Sequence, residues 1–347
     1  MNQDTKYQLQ NSILDGEQLA SVLELSSEEA NATHKKIRLT PYVFKLVIAE
    51  NGQAIRKQFV PFTTRSKNVY TDDYLQEERY SPVENLVHRY KNKAIYIATN
   101  QCACYCQFCT RQRVTKNKSP YRENLEEIIT YLHNHKEIND LLVTGGDPLM
   151  LETEKVVQIL NAISALQHIK VIRIGTRIPI TLPMRIDDKL LNALREYKNL
   201  YINIHINHAS ELTEQSQKAI CSLADCGIPL GSQTVLLHGI NDDCDTLKEL
   251  FEKLISIRVK PYYLYQCDRV SGCEEYVSDV KDGITIINQL YNIMSGFAIP
   301  KFVVDTPELG KMVLAPCSIT GVTDRNLVLA SEHGSCNYTL QRDYLEN

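Results

Sequence analysis

Short apolar runs rich in β-branched and aromatic residues recur through the middle of the chain. They are Ala94–Ala98, Leu141–Thr144, Val171–Gly175, Leu200–Ile206, Leu230–Leu237, Lys260–Gln266 and Phe302–Asp305. The middle runs start about 30 residues apart, the length of one strand and its crossover helix. The segments between them have helical spacing. Leu125, Ile128, Ile129 and Leu132 fall at i, i+3, i+4 and i+7, as do Val156, Ile159, Leu160 and Ile163. Strands alternating with helices imply a parallel sheet, and six or seven such units predict an α/β fold, a full or partial (β/α) barrel.

The flanks differ in texture. Gln18–Leu25 and Thr40–Ala49 read as helices, and the polar stretch Thr63–Tyr80 reads as loop. Residues 1–90 are therefore expected to form a helical N-terminal extension, residues 91–305 the barrel, and residues 306–347 a short C-terminal segment with little periodicity. Polar and cysteine-rich clusters follow the predicted strands: Asn100–Arg113, Gly145–Leu149, Thr176–Arg177, His205–His208, Cys267–Asp268 and Asp305–Lys311. Reacting groups in α/β barrels collect on these loops, so the layout points to an enzyme.

Composition narrows the class. The chain has 347 residues, 43% hydrophobic and 23% charged, which excludes a disordered chain or a coiled coil. No apolar run is long enough to span a membrane, and Met1–Ser12 lacks the apolar core of a signal peptide, so a cytoplasmic protein is expected. A net charge of −4 argues against a nucleic-acid partner held by a broad basic surface. Cysteine is the unusual component: there are 11, four of them within Cys102–Cys109. Without an export signal, a metal or redox site is a stronger reading than a disulfide framework.

Cys102, Cys106 and Cys109 form C-x3-C-x2-C on the loop leaving the first predicted barrel strand. Three thiolates so spaced can hold three irons of a [4Fe–4S] cube and leave the fourth open to a small chelating molecule. A zinc site with Cys104 as fourth ligand and a chance cluster of inert thiols stay open on spacing alone, although structural zinc usually takes two separated ligand pairs.

The C-x3-C-x2-C motif, with Phe108 before its third cysteine, resembles the signature of the radical S-adenosylmethionine (SAM) superfamily. CQFCTRQR (Cys106–Arg113) is similar to one branch of it, the lysine 2,3-aminomutase family. The likeness continues through TGGDPLM (Thr144–Met150), IRIGTRIPITLP (Ile172–Pro183), HINH (His205–His208), GSQTVLLHGIND (Gly231–Asp242), KPYYLYQCD (Lys260–Asp268) and FVVD (Phe302–Asp305), in register over residues 40–315. The resemblance implies a radical SAM barrel in which Gly145, Gly146 and Asp147 approach the methionine end of SAM while His205 and Gln233 line its nucleoside. It also implies pyridoxal 5′-phosphate (PLP) attached to Lys311. Many relatives carry a polyglycine run before this lysine, where the present chain has Pro307-Glu308-Leu309-Gly310 and is one residue shorter. By the same likeness Arg89 and Tyr90 hold the PLP phosphate and Tyr265 lies near the pyridine ring. Lys93 stands where relatives often have arginine, keeping the charge but losing the fork.

The resemblance further implies that Asp268 and Asp305 receive the distal cation of a basic amino acid and that Arg111 pairs with its α-carboxylate. Two carboxylates aimed at one pocket call for a cationic partner; a local pairing such as Asp268 with Arg269 is the plainer alternative. The expected activity is the shift of the α-amino group of L-lysine to Cβ by way of a 5′-deoxyadenosyl radical. Arginine 2,3-aminomutase and the enzyme that makes (R)-β-lysine for elongation factor P are the alternatives. An electron donor such as flavodoxin or ferredoxin and a homo-oligomer are the expected partners, with no nucleic acid and no membrane. Long-tailed relatives hold an intersubunit zinc with a C-terminal cysteine cluster. Only Cys317 and Cys336 stand in that region here, and no zinc of that kind is expected.

Overall fold

The structure is a computed structural model that describes residues 1–25, 36–61, 70–115, 121–314, 319–322, 326–331 and 334–339. Its centre is a nine-stranded sheet in sequential order: β1 (Leu86–Tyr90), β2 (Lys93–Thr99), β3 (Asp140–Gly145), β4 (Val171–Thr176), β5 (Leu200–His205), β6 (Leu230–Leu236), β7 (Val259–Gln266), β8 (Lys301–Thr306) and β9 (Gly310–Val313). Strands β2 to β8 run parallel, whereas β1 and β9 pair antiparallel at the two edges. This curled sheet is the expected partial (β/α) barrel. Every apolar run predicted as a strand is one, within one or two residues.

Period-two alternation divides each strand into two jobs. On β3 and β4, Leu141, Val143, Ile172 and Ile174 are buried in the main core. Their alternates Asp140, Leu142, Thr144, Arg173 and Gly175 line a central cavity. The helices α5 (Leu125–Asn134), α6 (Thr153–Ser164), α7 (Asp188–Leu194), α8 (Glu214–Asp225), α9 (Cys244–Ser256) and α10 (Val280–Ile293) follow β2 to β7 in turn and bury their apolar stripes against the sheet; the helices before them, α1 to α4, belong to the extension. Polar residues start them: Thr213 accepts from Ser216 N and Asp243 from Thr246 N, satisfying first-turn donors.

The extension contains α1 (Gln3–Gln10), α2 (Gly16–Leu23), α3 (Pro41–Val47) and α4 (Gln53–Phe59). Leu19, Leu39, Val43, Ile55 and Phe59 give it a small core of its own, which also takes in Cys104. The sequence reading missed α1 because that helix buries only Thr5 and shows no apolar stripe. It also missed β1, and it left the C-terminal segment without structure. There, β9 is followed by a separate antiparallel sheet of β10 (Ile319–Val322), β11 (Asn326–Ser331) and β12 (Gly334–Thr339). Part of the expected loop, residues 62–69, lies outside the described residues, as does Cys317.

Two sets of polar contacts fix the cavity walls. Across the sheet opening, Arg89 Nη2 donates to the carbonyls of Thr306 and Pro307, both at 2.7 Å, and the Lys311 amide donates to Tyr90 Oη at 2.9 Å. Below the loop after β3, the fully buried Arg185 donates to the Leu149 and Leu151 carbonyls and to Thr153 Oγ1. Removing that side chain leaves two carbonyls unsatisfied and a cavity. Arg185→Ala is therefore expected to lose about 2–4 kcal/mol in urea unfolding, with binding to the cavity impaired in proportion. A loss under about 0.5 kcal/mol would show that the loop is held by other means.

Candidate active site

The cavity has a volume of about 360 Å³ and runs through the barrel interior to the loops at the C-terminal ends of the strands. Cys102, Cys106 and Cys109 all line it, on the loop after β2. That loop is pinned by the turn after β3: Gly146 N donates to Thr99 O at 2.6 Å and Asp147 N to Gln101 O at 2.7 Å. A Cβ on Gly146 would sit 2.2 Å from Gln101 O, and one on Gly145, whose φ is +137°, 2.2 Å from Thr99 O. A close approach to the cysteine loop thus demands glycine here. The Asp147 carboxylate is likewise occupied within the protein, accepting from Thr176 Oγ1, Arg177 N and Leu149 N. Burial pushes it up to about 6.

Cys104 is set apart from the other three cysteines. It is buried among the N-terminal helices and accepts a hydrogen bond from Thr40 N at 3.4 Å. Burial pushes its thiol up to about 11, so it holds its proton. Among the described residues no three His, Cys, Asp or Glu side chains converge on a single metal ion. Three thiols around one cavity suit a cluster whose cysteines each take a different iron. Burial also pushes Cys102 well up, a cost that a cationic iron core would offset.

Arg177, at the end of β4, was noted in the sequence only as part of a polar cluster. Its Nη1 lies 2.7 Å from Cys106 Sγ, and its Nη2 donates to Glu211 at 2.7 Å and Gln58 at 2.5 Å. It thereby ties the cysteine loop to α4 and to the turn after β5. His205 and Gln233 are register partners on β5 and β6 and line the same cavity. Burial and the neighbouring Arg177 push His205 down to about 3, so its imidazole is neutral. Gln233 Nε2 lies 3.4 Å from Tyr265 Oη.

Lys311 sits on β9 at the other side of the cavity. Its Nζ donates to Asp305 Oδ2 at 2.6 Å and lies 4.2 Å from the Tyr265 ring centre. Burial lowers its pKa against the pull of Asp305. Lys93 Nζ stands 4.6 Å over the Tyr90 ring. Arg89 lines the cavity, although its Nη2 is engaged by the sheet closure described above. Asp268 follows β7. Its carboxylate has no hydrogen-bond or ion-pair partner among the described residues, so the local pairing with Arg269 does not form. Burial, then Asp305, pushes it up to about 7.

Arg111 reaches the cavity from the cysteine loop, but Nε and Nη2 grip the Glu77 carboxylate, the shortest contact being 2.6 Å. Arg113 Nη2 adds a third arm to the same carboxylate at 3.0 Å. Glu77 is the main site residue that sequence reasoning passed over, since it lay in a stretch read only as loop.

Residues 96–252 match the Radical SAM superfamily. Across 98% of its length the chain is 38% identical to the L-lysine 2,3-aminomutase of Methanococcus maripaludis, of which 82% is covered. Identity to the enzyme of the same name from Acetoanaerobium sticklandii is 36%, with 95% and 83% covered. The chain belongs to the lysine 2,3-aminomutase family. It is thus an isomerase of the radical SAM type, and the family implies a [4Fe–4S] cluster and SAM. The glutamate 2,3-aminomutase of Clostridioides difficile is also similar, at 35% identity over 88% of this chain and 74% of that one. Among solved structures, Streptococcus suis SuiB bound to SAM gives a TM-score of 0.47 at 14% identity over 61% of this chain and 49% of that chain. No helix among the described residues is long and apolar enough to cross a membrane.

For this aminomutase-family chain the cysteine assignment has a direct check. After anaerobic reconstitution, Cys102→Ala is expected to lose most of the bound iron, sulfide and visible absorbance. Cys104→Ala should keep them. Loss of iron in Cys104→Ala alone would reverse the assignment.

Proposed function

We propose that this protein is a radical SAM, PLP-dependent 2,3-aminomutase acting on a basic L-amino acid, L-lysine first. The observation that supports this reading is one cavity that brings Cys102, Cys106 and Cys109 to one part of its wall and Arg111, Lys311, Asp268 and Asp305 elsewhere on it. Cys102, Cys106 and Cys109 are the proposed cluster ligands. Gly145, Gly146 and Asp147 would face the methionine part of SAM through their backbone, with His205 and Gln233 along the nucleoside. Lys311 is the proposed PLP lysine, with Tyr265 against the ring and Arg89, Tyr90 and Lys93 near the phosphate. When bound, these groups would supply a carbon-centred radical that removes hydrogen and a conjugated π-system that carries the unpaired electron while nitrogen migrates.

The chain's own residues bind, orient and exclude. Burial lowers the pKa of the Lys311 amine against the pull of Asp305, which favours its attachment to an aldehyde. With that amine engaged, Asp305 loses its internal partner, and Asp268 and Asp305 both await a cation. A carboxylate side chain in their place would meet two like charges, which disfavours glutamate. Neutral His205 donates no charge near the reacting carbon, and the enclosed walls shield a radical from side reactions.

An equimolar pool of L-amino acids, with reconstituted protein, SAM, PLP and a low-potential reductant, is expected to yield one β-amino acid, β-lysine. A single β-arginine peak would move the substrate to arginine. SAM cleavage without any β-amino acid would overturn the pocket reading.

The pH dependence follows from Asp268. A substrate cation pairs with its ionised form, so kcat/KM is expected to fall about tenfold per pH unit below about 7 and to level off above it. Asp268→Asn should lower kcat/KM and remove this limb. An unchanged limb in that variant would assign the titration to another group.

A further inference from the structure

Arg111 and Asp268 form an unstable combination. One is a guanidinium offered to a substrate carboxylate, the other a buried carboxylate offered to a substrate cation. Both line the same cavity, and each feels the other's charge. Nothing intrinsic to the two side chains stops them from neutralising each other. A guanidinium and a carboxylate at contact form a bidentate pair, which would close both ends of the site at once.

Glu77 stands where it prevents this. It begins the one-turn helix Glu77–Tyr80, and its carboxylate is 8% exposed. It takes Nε of Arg111 at 2.9 Å and Nη2 at 2.6 Å, leaving Nη1 with no partner among the described residues. The acid is itself anchored. Asp73 accepts from the Glu77 and Glu78 amides, at 2.9 and 3.1 Å, and Arg113 grips Glu77 from a second direction. The segment before it is tied to the Asp268 loop: Thr71 pairs with Val270, and Ser271 Oγ donates to Tyr70 O at 2.7 Å. The Arg111 loop joins the same framework through Gln112 Nε2, which donates to Ser271 O. Glu77 thus holds the cation from a scaffold shared by both of the groups that must stay apart.

We propose that Glu77 is a positioning residue that keeps Arg111 from pairing with Asp268, so that both ends of a basic amino acid find an open partner. The inference rests on the reading of Arg111 as the α-carboxylate site and Asp268 as a side-chain site. L-Norleucine separates those ends, because it carries the α-carboxylate but no distal cation. Its binding to holoenzyme loaded with cluster, SAM and PLP is measured by anaerobic calorimetry.

Glu77→Ala is expected to weaken L-norleucine at least tenfold, as Asp268 captures the released Arg111. Glu77→Gln, which keeps an acceptor without the charge, should lie between it and the unsubstituted enzyme. In an Asp268→Asn background, which removes the captor named here, Glu77→Ala should cost less than threefold. The SAM-bound cluster signal in electron paramagnetic resonance should be unchanged throughout, which excludes a folding defect. Equal losses in both backgrounds would show that Glu77 merely shapes Arg111, and no loss in either would show that it does nothing there; each overturns the proposal. Arg111→Met, measured in parallel, is expected to weaken L-norleucine. If it does not, the carboxylate reading of Arg111 fails and takes this inference with it, while β-lysine formation still tests the overall reaction.

Discussion

The site depends on one steric fact: the turn after β3 and the loop after β2 touch backbone to backbone. Gly145 and Gly146 have no room for a Cβ because carbonyls of Thr99 and Gln101 occupy that space. The contact sets where the cysteine loop leaves the sheet, and hence where three thiols meet the cavity. Asp147 extends the same joint to β4 by accepting from Thr176 and Arg177. Arg177 then carries it to Glu211 beyond β5 and to Gln58 in α4. A chain of short polar contacts therefore runs from β2 across three further strands into the N-terminal helices. The links through Asp147, Thr176, Arg177, Glu211 and Gln58 join buried side chains, so breaking one leaves a charge or a donor unpaired in low dielectric.

Charge in the cavity is arranged by leaving selected groups without partners. Lys311 pairs with Asp305, Glu77 occupies most of Arg111, and Asp268 has no direct partner among the described residues. An unpaired buried carboxylate destabilises the fold, and its upward-shifted pKa expresses that cost. A ligand that brings the missing cation recovers the cost on binding. On the proposed reading, the arrangement would favour basic side chains and work against acidic ones.

The N-terminal extension is more than a cover. Its core takes in Cys104, which borders the cavity but is packed among the N-terminal helices and held by Thr40. Its α4 supplies Gln58 to Arg177, and the segment after it supplies Glu77 to Arg111. Arg111 and Arg177 are thus aimed by residues distant in sequence.

The sequence by itself determined the barrel, because strands buried against a helical layer must be apolar and must recur at the length of a βα unit. It also located the polar clusters at strand ends and marked Cys102, Cys106 and Cys109 by their spacing, whereas Lys311 and Asp268 became candidates only through the resemblance to a known family. Elements without an apolar period, α1 and β1 among them, left no such trace: one buries a single threonine, and the other is a short edge strand. Only the tertiary structure decided which charges meet. Glu77 is 34 positions from Arg111, Gln58 is 119 from Arg177, and Tyr90 is 221 from Lys311. Hydrophobic periodicity records which face of an element is buried. It carries no record of which distant side chain a buried charge will find, because that pairing is set by how the elements pack.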